Sequence, residues 1–214
     1  MSSWKKIFAL DDHRTDEIKS KAALLNMNYS EKDEYGILNQ LKEFKLIKDH
    51  GGEIYNVLSN HDPISKHYFF DYKYTISNGK SSTTFKQSVN FFNCKALSIP
   101  EFHLRPEEFY DKFLTWLGFP DINFESHTEF SHKYKLTGEY KDVIKYYFHK
   151  DILDLLSSHA LFHMEGMNYY LILYHHNHLL PSKMIPSFVH LSTLIYELFK
   201  LRSKSSQEEF KLNL

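Results

Sequence analysis

The chain has 214 residues, with 26 Lys+Arg against 27 Asp+Glu and a formal net charge of -1. Balanced charge argues against a nucleic-acid binder that works through a broad basic surface. A single cysteine excludes an internal disulfide framework and any Cys-rich zinc module. Hydrophobic residues make up 42% of the chain, including 18 Phe and 15 Tyr, which is enough to bury a core without staples.

Residues 1–15 read as an N-terminal arm. Its apolar stretch, Ile7 to Leu10, is too short for a signal peptide, whose apolar region runs about 7–15 residues. The segment Trp4-Lys5-Lys6-Ile7-Phe8 offers only weak attraction to a membrane surface, since two lysines contribute ~2 kcal/mol. A helix is predicted from Asp16, because Ile18, Ala22 and Leu25 recur on one helical face. Asn26-Met27-Asn28 interrupts it. Ser30 is placed to cap a second helix, with Asp33 three residues on. Ile37, Leu38, Leu41 and Phe44 form the stripe of that helix, and His50-Gly51-Gly52 ends it.

From Glu53 to Leu104 the period changes to two. Ile54 to Leu58 is a short strand. Phe70, Tyr72, Tyr74 and Ile76 alternate with polar residues, the pattern of a half-buried strand. Asn78-Gly79 is a strong hairpin signal, and the return strand carries Phe85, Gln87, Val89 and Phe91. A fourth strand is predicted over Ala96 to Leu104, with Pro100 implying an edge or a bulge. Pro106 then opens a helix with Phe109, Phe113, Trp116 and Leu117 as its stripe, ended by Gly118 and Pro120. Tyr134 to Leu136 is a short strand, followed by a helix from Val143 to His159 with a kink near Lys150. Leu161 to His176 forms a second hairpin. A turn at Met167-Asn168 puts His163, Glu165, Tyr170, Ile172 and Tyr174 on one face. Pro181 opens the last helix, and residues 203–214 read as a polar tail.

Together these elements predict an α+β protein. Its antiparallel sheet has about six to seven strands, a meander plus the C-terminal hairpin, with helices packed mainly on one face. Residues 16–202 form a single domain, with two lobes as the alternative. No run approaches the ~20 apolar residues of a membrane helix, and the expected setting is reducing and cytoplasmic.

The pattern Phe70-Asp71-Tyr72-x-Tyr74, then Phe102-x-Leu104-Arg105-Pro106-Glu107-x-Phe109, then Phe130-Ser131-x-x-Tyr134-x-Leu136-x-Gly138-Glu139, resembles a family of bacterial proteins with no assigned activity. Glu34-Tyr35-Gly36-Ile37-Leu38 and Asn56-Val57-Leu58 fit the same family. The resemblance covers residues 20–200. It implies a bacterial origin and one soluble unit, and carries no catalytic residues with it.

The candidate chemistry is sparse. The motifs G-x-x-x-x-G-K-[ST], G-x-G-x-x-G, H-E-x-x-H and G-x-S-x-G are all absent. Ser131 and His132 are adjacent, but adjacency does not make a catalytic pair. The lone Cys94 reads as a small strand residue. Arginine occurs only at 14, 105 and 202. Where lysine is the common cation, Arg105 is a candidate for the bidentate binding of a carboxylate or phosphate. The plainer reading pairs it with a carboxylate such as Asp71 or Glu101. Asp71, among aromatic residues, is either a solvated strand residue or a general base. His175, His176 and His178 with His163 and Glu165 invite a zinc reading. In the predicted register, however, His176 falls opposite His159, too far from His163 to share an ion.

These readings favour a non-enzymatic binding or protein-interaction module without a cofactor, acting on an unidentified protein or small-molecule partner. Arg105, Asp71, Tyr170 and Tyr174 are its candidate anion or partner contacts. The competing reading is an enzyme, a metal-dependent hydrolase built on the His and Glu residues of the C-terminal hairpin.

Overall fold

A computed structural model describes residues 3–48, 50–107 and 120–212, with side chains at 13–48, 50–107 and 120–208. In chain order the elements are α1 (Ser3–Leu24), β1 (Asn28–Lys32), α2 (Ile37–Gln40), α3 (Lys45–Lys48), β2 (Glu53–His61), β3 (Ser65–Ser77), β4 (Ser82–Cys94) and β5 (Ile99–Pro106). There follow α4 (Thr128–Lys133), β6 (Tyr134–Thr137), α5 (Lys141–Tyr147), α6 (Lys150–Ser158), β7 (His163–Asn168), β8 (Tyr170–Tyr174), a one-turn 3-10 helix and α7 (Ile185–Leu212). The protein is α+β, with an antiparallel sheet in the order β1-β2-β3-β4-β8-β7-β5-β6. The sheet has eight strands rather than six to seven. Among the described residues no helix is long and apolar enough to cross a membrane.

The additional strand is β1. Ser30 does not cap a helix; it lies in β1, and its hydroxyl donates to the Lys32 carbonyl. Asp33 takes over the capping role. Its carboxylate accepts from the backbone N–H groups of Tyr35, Ile37 and Leu38, each at 3.0 Å. The first helix starts at Ser3 instead of Asp16, and Ser3 to Leu24 contains neither Gly nor Pro to stop it. Pro106 is the last residue of β5, paired with Tyr134, and the rest of the helix expected from it lies outside the described residues. Pro100 does mark a bulge, because the β5–β7 register shifts between Ile99 and Phe102.

The chain divides into two compact units. The first comprises Met1–Asp62, Lys66–Asn90 and Asn177–His190. Here β3 is buried without alternation from Tyr68 to Tyr72. The reason is two-sided cover. Arg14 of α1 reaches the Asp71 side, while the Tyr72 hydroxyl donates to the Gly51 carbonyl on the other side and Tyr74 stacks on His50 at 4.6 Å. Burial pushes the Tyr68 and Tyr72 phenols up to about 12, as expected of rings serving as core. Asn56 in β2 has φ 52° and sits where the β2–β3 register shifts, between Tyr55 and Leu58. This bulge holds Asn56 in the interior, 1% exposed.

The second unit comprises Pro63–Ser65, Phe91–His176 and Leu191–Leu214. Its core is aromatic. Phe102 meets Phe148 edge-on at 5.0 Å and stacks with Phe199 at 5.6 Å. A side chain at Gly166 would collide with the Phe102 ring, so glycine is required there. The expected kinked helix is two helices, and the His149 imidazole accepts from the Asp151 N–H to begin α6. α7 runs on past Ser203, where the sequence reads as a polar tail. Ser203 is buried; its hydroxyl donates to the Phe199 carbonyl and accepts from the Ser98 N–H.

Candidate functional site

Asp71 sits mid-strand on β3 with no exposed surface. A lone carboxylate there would be destabilised by several kcal/mol or more. Arg14, one turn from the nearest core residue of α1, Ile18, supplies a fork. Its Nε donates to Oδ2 at 2.7 Å and its Nη2 to Oδ1 at 2.8 Å. Ser88 donates to Oδ1 at 2.9 Å, and the amide of Asn56 reaches Oδ2 at 3.4 Å. Nη1 of Arg14 donates to the Leu180 carbonyl at 2.7 Å. Asn56 Oδ1 accepts from Thr15 and Tyr29. Burial alone would push Arg14 down, but the hydrogen bonds and charge of Asp71 outweigh it and leave the guanidinium raised. Asp71 is thus neither solvated nor a poised base. It is an internal anion, and its cation is Arg14 rather than Arg105. Sequence reasoning missed Arg14 because an arginine inside a presumed arm gives no local sign of its partner in β3.

Arg105 stands at the end of β5, half-buried, opposite Lys135 of β6. Its Nη1 lies 3.4 Å from the Pro106 carbonyl. Leu104 pairs with Met164, so Arg105 lies beside His163 of β7. His163 pairs with Tyr174, and Glu165 pairs with both His103 and Ile172. One sheet face therefore carries Arg105, His103, His163, Glu165 and Tyr174 together. The Tyr174 hydroxyl donates to Glu165 Oε1 at 2.8 Å, and both residues are buried. Tyr170 is half-buried, its ring 5.7 Å from Phe91. The expected sharing of a face by His163, Glu165, Ile172 and Tyr174 holds, but the register differs. The turn is Asn168-Tyr169, with Asn168 at φ 54° and Met167 opposite Tyr170. That two-residue shift brings the His163 and His176 rings to 5.2 Å, correcting the prediction that they are far apart. The His103 ring is 6.2 Å from His163, and Tyr174 stacks on it at 5.1 Å. Burial, then the positive field of His176, Arg105 and His175, pushes His163 down to about 4. Among the described residues no group of three or more His, Cys, Asp or Glu side chains is placed to hold a metal ion.

A polar cleft of about 450 Å³ opens elsewhere in the second unit, lined in part by Ser126, His127, Thr128, Asp154 and Ser158. Ser126 Oγ is 2.9 Å from His127 Nδ1, and His127 Nε2 is 3.3 Å from Asp154 Oδ1. Ser126 and His127 are neighbours in sequence, but Asp154 comes from α6, so nothing local announces the trio. Ser131 and His132, the adjacent pair visible in the sequence, are used differently. Ser131 Oγ accepts from the Phe124 N–H and fixes the loop before α4.

No family model matches the chain, and no curated protein matches it. Among solved structures, the fold is similar to that of the mycobacterial trehalose monomycolate transport factor A. The TM-score is 0.57, over 88% of this chain and 93% of that chain, at 12% sequence identity. An identity that low shows a shared fold and transfers no residue roles.

Proposed function

We propose that this chain is a bacterial, cytoplasmic binding or protein-interaction module, whose main role is recognition rather than turnover. The observation that carries this reading is the fold likeness to a protein named as a transport factor, which extends over most of both chains. The use of Asp71 as an internal counter-ion supports it, because the carboxylate most suggestive of acid–base work is spent on Arg14. Arg105 and Tyr170, both half-buried at the edge of their strands, are the residues through which a protein or small-molecule partner is contacted. The resemblance of the Phe70–Tyr74, Phe102–Phe109 and Phe130–Glu139 segments to a bacterial family is consistent with this assignment. The hydrolase reading has less support, since the hairpin imidazoles are not arranged as a three-ligand metal set among the described residues.

The experiment is capture from a bacterial lysate on the immobilised chain, followed by titration of each purified partner. A stoichiometric complex weakened about tenfold or more by Arg105→Ala or Tyr170→Ala is the expected result. Stoichiometric zinc in the purified protein, together with a hydrolytic activity lost on chelation, would overturn the reading.

A further inference from the structure

Beyond binding, we infer that Ser126, His127 and Asp154 form a serine-centred acyl-transfer site in the second unit, acting on small carboxylic esters that enter the cleft they line. The geometry has the three parts such chemistry needs: a nucleophile, a base within hydrogen-bond reach and a group that orients the base. Ser126 is exposed and its Oγ lies 2.9 Å from His127 Nδ1. Asp154 Oδ1, 3.3 Å from Nε2, holds the proton on that nitrogen. The lone pair is then at Nδ1, facing the serine hydroxyl, which is the tautomer a general base requires. The roles of the two ring nitrogens are exchanged relative to the chymotrypsin arrangement, and the direction of proton flow is unchanged. His127 is only 16% exposed at its side chain, which limits its freedom to rotate away. Asp154 also pairs with Lys150, and that contact keeps its carboxyl below the usual range and ionised. A cleft of about 450 Å³ is within the range that takes a small organic ligand.

The step balances without an outside oxidant or metal. Ser126 Oγ attacks the ester carbonyl as its proton passes to His127 Nδ1, with Asp154 stabilising the imidazolium at Nε2. The C–O bond to the alcohol breaks, the proton moves from Nδ1 to the departing alkoxide, and an acyl-Ser126 ester remains. Water, deprotonated by His127, then attacks that ester. It releases the carboxylic acid and restores the serine. Thr128, whose side chain carries a hydroxyl, lines the same cleft, where the developing oxyanion needs a donor. With no pair of backbone donors assigned to that task, turnover is expected to be slow, and acylation is the step to observe.

The test uses the whole chain with an alkyl fluorophosphonate and with p-nitrophenyl acetate. Intact mass should show one phosphonate adduct, and peptide mapping should place it on Ser126. The acetate should give a burst near one equivalent of p-nitrophenol. Ser126→Ala should abolish both, and His127→Gln should slow labelling about 100-fold or more. Ser205→Ala, an exposed serine on α7, should label as the wild type does. Asp154 is a positioning residue. Asp154→Asn should slow labelling about tenfold and Asp154→Glu should recover most of that loss; a purely structural role would not separate the two variants in this way. Mapping the adduct in the wild-type protein needs no variant to fold. Absence of an adduct, an adduct on another residue, or an equal burst from Ser126→Ala would each overturn the proposal.

Discussion

Two centres, one in each unit, hold titratable groups away from water and deal with the charge in opposite ways. In the first, Asp71 and Arg14 remain charged because each is the other's partner, and Ser88, Asn56 and the Leu180 carbonyl take up the remaining hydrogen-bonding capacity. In the second, burial and then the positive field of His176, Arg105 and His175 favour the neutral form of His163. A paired charge stabilises as long as both members are present, whereas a suppressed charge stabilises only while the proton stays away. The first centre should thus be sensitive to mutation, and the second to pH.

The strongest way to break this contrast is to remove one member of the ion pair. Asp71→Ala leaves Arg14 beside a cavity with no anion, and a loss of about 3–5 kcal/mol in urea unfolding is expected. Arg14→Met should do comparable damage, and the double variant Arg14→Met/Asp71→Leu should lose clearly less than the sum. Additive losses would mean that the two side chains do not act as a unit.

Next in size is the pH response. An unfolded histidine titrates near 6.5, while burial and neighbouring cations hold folded His163 at about 4. The unfolded chain therefore takes up the proton first as the solution is acidified. The stabilisation is complete above about pH 6.5 and is lost as pH falls from there to about 4. His67, held by burial at about 4 beside Asn90, has the same sign and shares the wild-type slope. His163→Gln should flatten the stability curve between pH 6.5 and 4 by about 1–3 kcal/mol. An unchanged slope would show that the imidazole face carries no such linkage. The smallest effect is expected from Tyr174→Phe, which removes the donor to buried Glu165 and should cost about 1–2 kcal/mol at neutral pH. A change below the error of the measurement would show that Glu165 finds another donor at no cost.

Periodicity was a sound guide where one element buries one face. The strands β2 to β6 lie close to where the apolar spacing puts them. It failed where a neighbour distant in sequence adds a second cover. The alternation of Phe70, Tyr72 and Tyr74 implies a half-buried strand, yet Asp71 between them is enclosed because Arg14 arrives from α1. It failed again at β1, where Ser30 has the composition of a helix cap but pairs with Val57. The hairpin face of His163, Glu165 and Tyr174 was legible from alternation alone. The closeness of His163 to His176 was not, because it depends on whether the turn falls at Met167-Asn168 or at Asn168-Tyr169.

Composition and spacing by themselves determined the α+β class, the antiparallel meander and the use of Phe and Tyr as core, since these follow from local periodicity and from burial of apolar surface. Only the tertiary structure decided which charges meet. The partners of Asp71, His127 and His163 lie far away in sequence or on the far side of a turn, and a one-dimensional pattern records neither the contact nor the field that it creates.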